Sequence, residues 1–264
     1  MTLAFVGGGA MGSAMLRAGL STGVIGQADV VVCEVVAERR TALEAEYGVR
    51  TSASLLDGAA DAGVVILAIK PQDLDSLARS GLETALVVSI MAGVPIPSIK
   101  AVTGSDRIVR VMPNTPAAIG AGMSVWTATT AVSDEERAFV GELLRSMGKD
   151  LYVESESKID MATAVNGSGP GFVFLLMEAM VDGAVDAGLP RDQAEALVLQ
   201  TFYGSAKYAM SESRSLSELR ALVTSPAGTT AAGLRTLEEH GVRAALAGAV
   251  RAAHQRAQEL GRRS

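Results

Sequence analysis

The chain has 264 residues, enough for one large domain or two modest ones. Its formal net charge is −6, and the only basic cluster is the terminal arginine pair, so we expect no binding to nucleic acid. The single cysteine excludes an intramolecular disulfide. The sequence also shows no signal peptide and no uninterrupted apolar stretch of membrane length. We therefore expect a cytoplasmic protein that binds neither a membrane nor a metal ion.

The first half of the chain alternates short aliphatic runs with segments of helical periodicity. Unbroken runs of branched residues are typical of strands that are covered on both faces. The intervening segments, such as 11–20 and 37–47, carry apolar residues at a spacing of three to four. This alternation predicts a parallel, doubly wound α/β sheet of the Rossmann type over residues 1–156. Its predicted strands are 3–6, 30–33, 64–69, 85–90, 108–112 and 123–126.

The second half, residues 157–264, is predicted to be all helical, and the two halves should meet near residues 155–160. Pro170 and Pro190 are each placed to open a helix, since proline is tolerated at the first helical position. The helix from Pro170 is apolar all round, with six successive apolar residues at 172–177. About 105 residues of helix cannot bury it alone, so we expect a partner subunit to cover it.

Residues 7–12 match the dinucleotide-binding pattern G-x-G-x-x-G through Gly7, Gly9 and Gly12. The first glycine permits a tight turn, the second lets a pyrophosphate approach the backbone, and the third lets the helix pack on the strand. The pattern is weak by itself in a glycine-rich chain. Here it lies between a predicted strand and a predicted helix, and it therefore indicates an NAD(P) site rather than an ordinary turn.

An acidic residue, Glu34, follows the second predicted strand. A carboxylate there can bind the ribose hydroxyls of NAD and repel the 2′-phosphate of NADP. Arg39 and Arg40 lie five and six residues further on, and either could reach such a phosphate. A solvated strand-end position for Glu34 is the third interpretation, so the sequence leaves the choice between NADH and NADPH open.

Groups that could exchange a proton with an alcohol substrate are scarce. The chain has two histidines; His240 should end a helix beside Gly241, and His254 lies among polar residues of the last helix. Residues 162–177 contain no ionisable side chain. A site without a strong base suits reduction of a C=N bond, because the substrate nitrogen carries its own proton.

A second polar feature is the segment 224–230, TSPAGTT, which leads into a predicted helix. Small and hydroxylated residues before a helix leave N–H groups that can bind a carboxylate. Serine and threonine are also common N-caps in any protein. From the residues alone, carboxylate binding and ordinary capping are equally good interpretations.

Taken together, these motifs resemble the Δ1-pyrroline-5-carboxylate reductase family along essentially the whole chain. The glycine pattern is shared with many nucleotide-binding proteins, whereas VMPNTP at 111–116 and TSPAGTT at 224–230 are specific to this family. The other matching segments are 6–12, 68–71, 88–94, 167–170, 188–191 and 204–207. The resemblance implies a Rossmann domain followed by a helical domain that interleaves with a second copy, giving a dimer or a ring of dimers. It also implies reduction of pyrroline-5-carboxylate to L-proline with NADPH or NADH.

The resemblance further implies roles for individual residues. The Thr230 hydroxyl would hydrogen-bond the ring nitrogen as the catalytic residue, and the loop N–H groups would hold the substrate carboxylate. The implied substrate-binding residues are Val223, Ser225, Ala227, Gly228, Thr229 and Thr230. The implied cofactor-binding residues are Val6, Gly7, Gly8, Gly9, Ala10, Met11, Gly12, Glu34, Ala68, Ile69, Lys70, Pro71, Ala92 and Asn114, of which Ala68, Lys70 and Asn114 would lie near the nicotinamide.

The chain also departs from the family pattern. Ala227 stands where glycine is usual, so a positive φ there would be strained. Asn166 replaces a common serine, Gly171-Phe172 replaces Ala-Tyr, and Glu34 stands where a neutral residue followed by serine often receives the NADP phosphate. Two other functions are alternatives to this reductase. A β-hydroxyacid-type dehydrogenase would need a catalytic lysine near Gly169, and a non-catalytic nucleotide-binding regulator would not need a carboxylate-binding loop.

Overall fold

The computed structural model describes residues 2–59, 61–78 and 81–261. The chain divides into two compact units. The first comprises residues 1–170 and 252–264, and the second comprises residues 171–251.

The first unit contains an eight-stranded sheet whose order is β3-β2-β1-β4-β5-β6-β7-β8. All neighbouring strands pair in parallel except β6 and β7. The chain winds outward from β1 in one direction and then restarts beside it with β4, so the carboxyl ends of β1 and β4 flank a topological switch point. The strands are β1 (Leu3–Val6), β2 (Val30–Cys33), β3 (Arg50–Ser52), β4 (Val64–Leu67), β5 (Leu86–Ser89), β6 (Ile108–Met112), β7 (Gly122–Ala128) and β8 (Gly148–Tyr152).

The predicted aliphatic runs all form strands, but the expectation of a fully parallel sheet is wrong at β6 and β7, which are antiparallel. Only residues 113–121 join these strands, and so short a connection cannot make the crossover that a parallel pair requires. The sequence also did not predict β3 and β8. Neither contains the aliphatic run on which the strand predictions depended: β3 is polar, and β8 includes the charged residues Lys149 and Asp150.

Helices cover both faces of this sheet. On one face Met15, Leu16 and Leu144 pack against the strands, and on the other Leu77 and Ile99 do so. The helices are α1 (Ala10–Thr22), α2 (Ala37–Tyr47), α3 (Leu55–Ala59), α4 (Ile96–Thr103), α5 (Asp134–Arg145) and α6 (Ser157–Ala162), with 3₁₀ turns at Gln27–Asp29, Pro71–Leu77 and Thr115–Ile119 and a π-helical turn at Thr163–Gly167.

The first unit continues beyond the predicted domain boundary at 156/157. Strands end by residue 152, yet the packing places the segment up to Pro170 with the sheet. A partly buried ion-pair cluster contributes to this: Arg110 on β6 is 3% exposed and forms 2.8 Å salt bridges to the half-buried Glu156 and Asp160. The change of periodicity therefore marks where strands stop, and the division into units lies further along the chain.

The second unit is built from helices only. They are α7 (Gly169–Asp186), α8 (Arg191–Ser211), α9 (Leu216–Leu222), α10 (Thr229–Glu239) and α11 (Val242–Gly261), whose last part belongs to the first unit. A small cluster centred on Val181, Ala194 and Val198 is buried between α7 and α8. Large apolar side chains remain exposed on the same two helices, including Phe174 at 60% and Leu175 at 63%.

One helical stretch in the described residues, Ser157–Asp186, is long and apolar enough to span a membrane by length and composition alone. The sequence did not reveal it because α6, the π-helical turn and α7 run together into 30 residues of continuous helix. Within α7 itself only Val181 is buried. A single chain therefore leaves this helix without the cover that its composition requires.

Candidate active site

The G-x-G-x-x-G segment runs from the end of β1 into the first turn of α1, and it has room only for glycine at two of its three pattern positions. Gly7 has φ +103°, and a Cβ built on it would lie 2.7 Å from the carbonyl oxygen of Ala68. A Cβ on Gly12 would lie 2.5 Å from the carbonyl oxygen of Gly7. At Gly9 the same test meets no atom within 4 Å. The turn is therefore packed tightly against β4 and α1, and at Gly9 it is open to a ligand.

This turn presents the N-terminus of a long helix to a cavity. Gly9 is the N-cap of α1, with no side-chain cap, so the first N–H groups of the helix have no acceptor within it. The adjoining cavity has a volume of about 500 Å³ and lies at the carboxyl ends of β1, β2 and β4. An anion-binding helix terminus at the switch point of an α/β sheet fits the pyrophosphate of a dinucleotide.

Glu34 is held as part of this cavity's wall. Its side chain is buried at 5% exposure, and its two carboxylate oxygens accept hydrogen bonds from the N–H groups of Gly8 (3.0 Å) and Val36 (2.9 Å). The guanidinium of Arg39 lies 3.8 Å from the carboxylate. Arg40 instead donates to the main-chain oxygens of Glu34 and Val35. The solvated position that the sequence left open is therefore wrong for Glu34.

The residues that line the cavity include part of the predicted cofactor-binding set. The cavity is lined by Gly7, Gly9, Glu34, Ala68, Ile69 and Lys70, together with Cys33, Val35, Val36, Arg39, Asp73 and Ser76. The lining does not include the predicted residues Val6, Gly8, Ala10, Met11, Gly12, Pro71, Ala92 and Asn114. Sequence reasoning had not assigned Val35, Val36, Asp73 and Ser76, although their signal was available: they follow β2 and β4, whose carboxyl ends border the cavity.

Cys33 offers no nucleophile in this cavity. The thiol is buried at the end of β2, and desolvation raises its pKa to about 11. It therefore stays protonated near neutral pH, and thiolate chemistry is excluded there.

Asn114 has a different environment from the other predicted cofactor residues. Its side-chain oxygen accepts a 2.8 Å hydrogen bond from the N–H of Met123 on β7. Asn166, in the π-helical turn, donates at 2.9 Å to the carbonyl oxygens of both Met112 and Met123. The two asparagines thus fix the ends of β6 and β7 around the 113–121 connection. The amide of Asn166 has two N–H donors and can therefore bond to both strands at once.

The predicted substrate loop precedes α10. Gly228 is the N-cap of this helix and receives no side-chain cap, so Thr229 and Thr230 are its first and second residues. Ala227 has φ +58°, and among the described residues it is the only non-glycine residue with a positive φ. The strain expected from alanine at that position is therefore present. Because neither threonine is the N-cap, the capping interpretation does not account for them.

The two histidines lie at the end of α10 and on α11. His240 is the C-cap of α10, directly before Gly241 at φ +69°. His254 lies on α11 and is half-buried, with a buried Nε2 for which the described residues offer no hydrogen-bond partner. Neither histidine lines the nucleotide cavity.

Comparison with known proteins gives matches over the whole chain. Residues 156–260 match the family model described as pyrroline-5-carboxylate reductase dimerisation, and residues 2–93 match that of the NADP oxidoreductase, coenzyme F420-dependent. A pyrroline-5-carboxylate reductase from Synechocystis sp. is 39% identical over 264 residues, covering 99% of this chain and 98% of the relative.

Solved structures agree with these matches. The structure of a pyrroline-5-carboxylate reductase from Coxiella burnetii superposes with a TM-score of 0.91 at 33% identity and covers 98% of each chain. That of Plasmodium falciparum pyrroline carboxylate reductase, with NADP bound, has a TM-score of 0.88 at 28% identity and covers 99% of this chain and 98% of its own.

Proposed function

Because the chain belongs to the pyrroline-5-carboxylate reductase family, we propose that its nucleotide cavity binds the hydride donor and that its 224–230 loop binds the substrate. The chain is an oxidoreductase that reduces Δ1-pyrroline-5-carboxylate to L-proline with NAD(P)H, in proline biosynthesis. The full-length identity of 39% carries this assignment. The direct test is oxidation of NADH or NADPH by the purified protein that depends on pyrroline-5-carboxylate.

The residues around the first cavity fit NAD(P)H. Gly7, Gly9 and the first N–H groups of α1 hold the pyrophosphate, and Glu34 faces the adenosine ribose. Ala68 and Lys70 line the same cavity beyond β4, on the side that we assign to the nicotinamide. When bound, the cofactor supplies the hydride that adds to the imine carbon.

The substrate carboxylate binds at the start of α10. It accepts hydrogen bonds from the N–H groups of Thr229, Thr230 and Ala231, which have no acceptor within the helix. Ala227 in the left-handed region and Gly228 at the N-cap support this role, because they form a turn that leaves these groups exposed. Backbone strain of this kind clusters at functional sites.

The Thr230 hydroxyl accepts a hydrogen bond from the protonated ring nitrogen of the imine. As hydride adds to carbon, this nitrogen becomes a secondary amine and keeps its proton, so no protein acid has to supply one. A hydroxyl can donate as well as accept a hydrogen bond, so the Thr230 hydroxyl can bond both to the protonated imine nitrogen and to the amine nitrogen of the product.

Three substitutions at Thr230 test this assignment. Thr230→Ala should lower kcat and kcat/KM together by about five- to a hundred-and-fifty-fold, because loss of one hydrogen bond costs about 1–3 kcal/mol. Thr230→Val should behave in the same way, whereas Thr230→Ser should keep most of the activity because the hydroxyl remains. Nucleotide affinity should not change. An active Thr230→Ala enzyme with a lowered melting temperature would show that Thr230 is only structural.

Self-association follows from the dimerisation region. We assign the exposed apolar surface of α7 and α8 to the contact with a second chain, in a dimer or a ring of dimers, and not to lipid. The surface lies inside the matched region 156–260 and carries Phe174, Leu175, Met180, Leu197, Tyr203 and Met210. A cytoplasmic location is consistent with the single buried cysteine, since cytosolic thiols stay reduced.

A further inference from the structure

The carboxylate of Glu34 has one fixed position. Two main-chain N–H donors hold its two oxygens, one from the glycine turn and one from the segment after β2. A Cβ at position 8 would lie 2.6 Å from Leu43 Cδ1 and 3.4 Å from the carboxylate itself, so glycine lets the turn approach Glu34 without displacing the Leu43 side chain. The negative charge therefore cannot swing away when a ligand enters the cavity.

A fixed carboxylate distinguishes the two nicotinamide cofactors by charge. Each carboxylate oxygen accepts one N–H and keeps a free lone pair, which suits the 2′-hydroxyl of the NADH ribose. The 2′-phosphate of NADPH would bring up to two negative charges to the same place. Repulsion between like charges is strong where water is excluded, and Glu34 is 5% exposed.

The nearby arginines do not reverse this balance. Arg40 donates from one guanidinium nitrogen to two main-chain oxygens, so its contact lies with the backbone of the β2–α2 segment. Arg39 is exposed, and among the described residues its close acidic neighbour is Glu34 itself. Among the described residues that line the cavity, the charges of Glu34 and Asp73 balance those of Arg39 and Lys70. The lining therefore has no surplus positive charge for a phosphate.

We propose that Glu34 makes this enzyme select NADH over NADPH, with Arg39, and not Arg40, providing the remaining attraction for a 2′-phosphate. The proposal rests on the hydride-donor site assigned above. It concerns this chain's own residues, and the NADP found in the Plasmodium falciparum relative belongs to that protein.

The test is calorimetric titration of the full-length protein with NADH and with NADPH, in the absence of pyrroline-5-carboxylate. The wild type should bind NADH at least about tenfold more tightly, the ratio expected from like-charge repulsion of about 1.4 kcal/mol. Glu34→Gln keeps the volume and one acceptor oxygen, and Glu34→Ser removes the side chain from the ribose. Both should tighten NADPH binding and reduce the ratio toward one.

The arginines provide matched controls. Arg39→Ala should weaken NADPH binding severalfold and leave NADH binding nearly unchanged, whereas Arg40→Ala should change both affinities by the same factor. Melting temperatures with each nucleotide give an independent readout of the same ratios. Wild-type preference for NADPH, or an unchanged ratio in both Glu34 variants, would overturn the proposal. Because binding needs no substrate, selective NADH binding without turnover would contradict the proposed function and leave this inference intact.

Discussion

The two units of the chain differ in how far they bury their apolar residues. In the first, β1, β2, β4 and β5 are buried along their whole length, and helices cover both faces of the sheet. In the second, α7 buries one of its 18 residues, and apolar side chains such as Phe174 and Leu175 remain exposed. A nucleotide cavity can thus form within one chain, while the helical unit has a surface that only further protein can cover.

This difference predicts where single substitutions act. The interactions of Arg110 and Asn166 in the first unit are buried or half-buried within one chain, so their loss should lower stability directly. Polar interactions between α7 and α8 are exposed to solvent in one chain, so their loss should matter little unless a second chain covers them.

Arg110→Ala should have the largest effect. It would leave Glu156 and Asp160, whose side chains are 28% and 22% exposed, without the buried guanidinium that they pair with. Breaking a fully buried ion pair costs about 3–5 kcal/mol, and partial solvation of the two carboxylates should keep the cost here at or below the lower end of that range. We expect a strongly lowered melting temperature or failure to fold. If Arg110→Ala left the melting temperature unchanged, the link between the sheet and the segment before α7 would not depend on these charges.

Asn166→Ala should have a smaller effect on the same unit. The substitution removes two hydrogen bonds to the ends of β6 and β7 and should cost about 1–3 kcal/mol. Asn166→Ser is the matched control, because a hydroxyl can replace only one donor. Urea unfolding of both variants measures the difference. Equal stability of wild type and Asn166→Ala would show that the π-helical turn holds the strands in another way.

Ala227→Gly should act in the opposite direction, on the second unit. Glycine adopts a positive φ without the Cβ clash, so the substitution should stabilise the protein by about 1 kcal/mol. The melting temperature should rise at equal protein concentration, with activity retained. A lower melting temperature would mean that the alanine methyl group makes contacts worth more than the strain.

Arg191→Ala should have the smallest effect. Its 2.8 Å salt bridge to Asp182 joins α8 to α7, but the arginine side chain is 59% exposed in the single chain. We expect no measurable change in melting temperature, in contrast to Arg110→Ala. A large loss of stability would indicate that a second chain buries this pair, which would place α7 and the start of α8 in the interface.

The sequence predicted those features that depend on local pattern. The bounds of β1, β2 and α2 were right to the residue; Gly7 and Gly9 lie in the turn as expected, and Gly12 lies in the first turn of α1. The predicted strain at Ala227 is also present.

Features that depend on contacts between separate secondary-structure elements were not predicted. The direction of β7 depends on the short connection from β6, and β8 forms only by pairing with β7. The location of Asn114 depends on Met123, and the extent of the first unit depends on the acidic partners of Arg110. Nor could pattern alone separate the roles of Arg39 and Arg40, because these follow from which acceptors each guanidinium reaches.

The dependence of the helical unit on a second chain is tested most directly by sedimentation velocity of the full-length wild-type protein at micromolar concentration. We predict a particle with at least twice the mass of the chain and no monomer fraction, because the apolar surface of α7 and α8 needs cover of the kind that obligate dimers provide. A stable monomer with native helix content would contradict this account, since it would show that the second unit is complete in one chain.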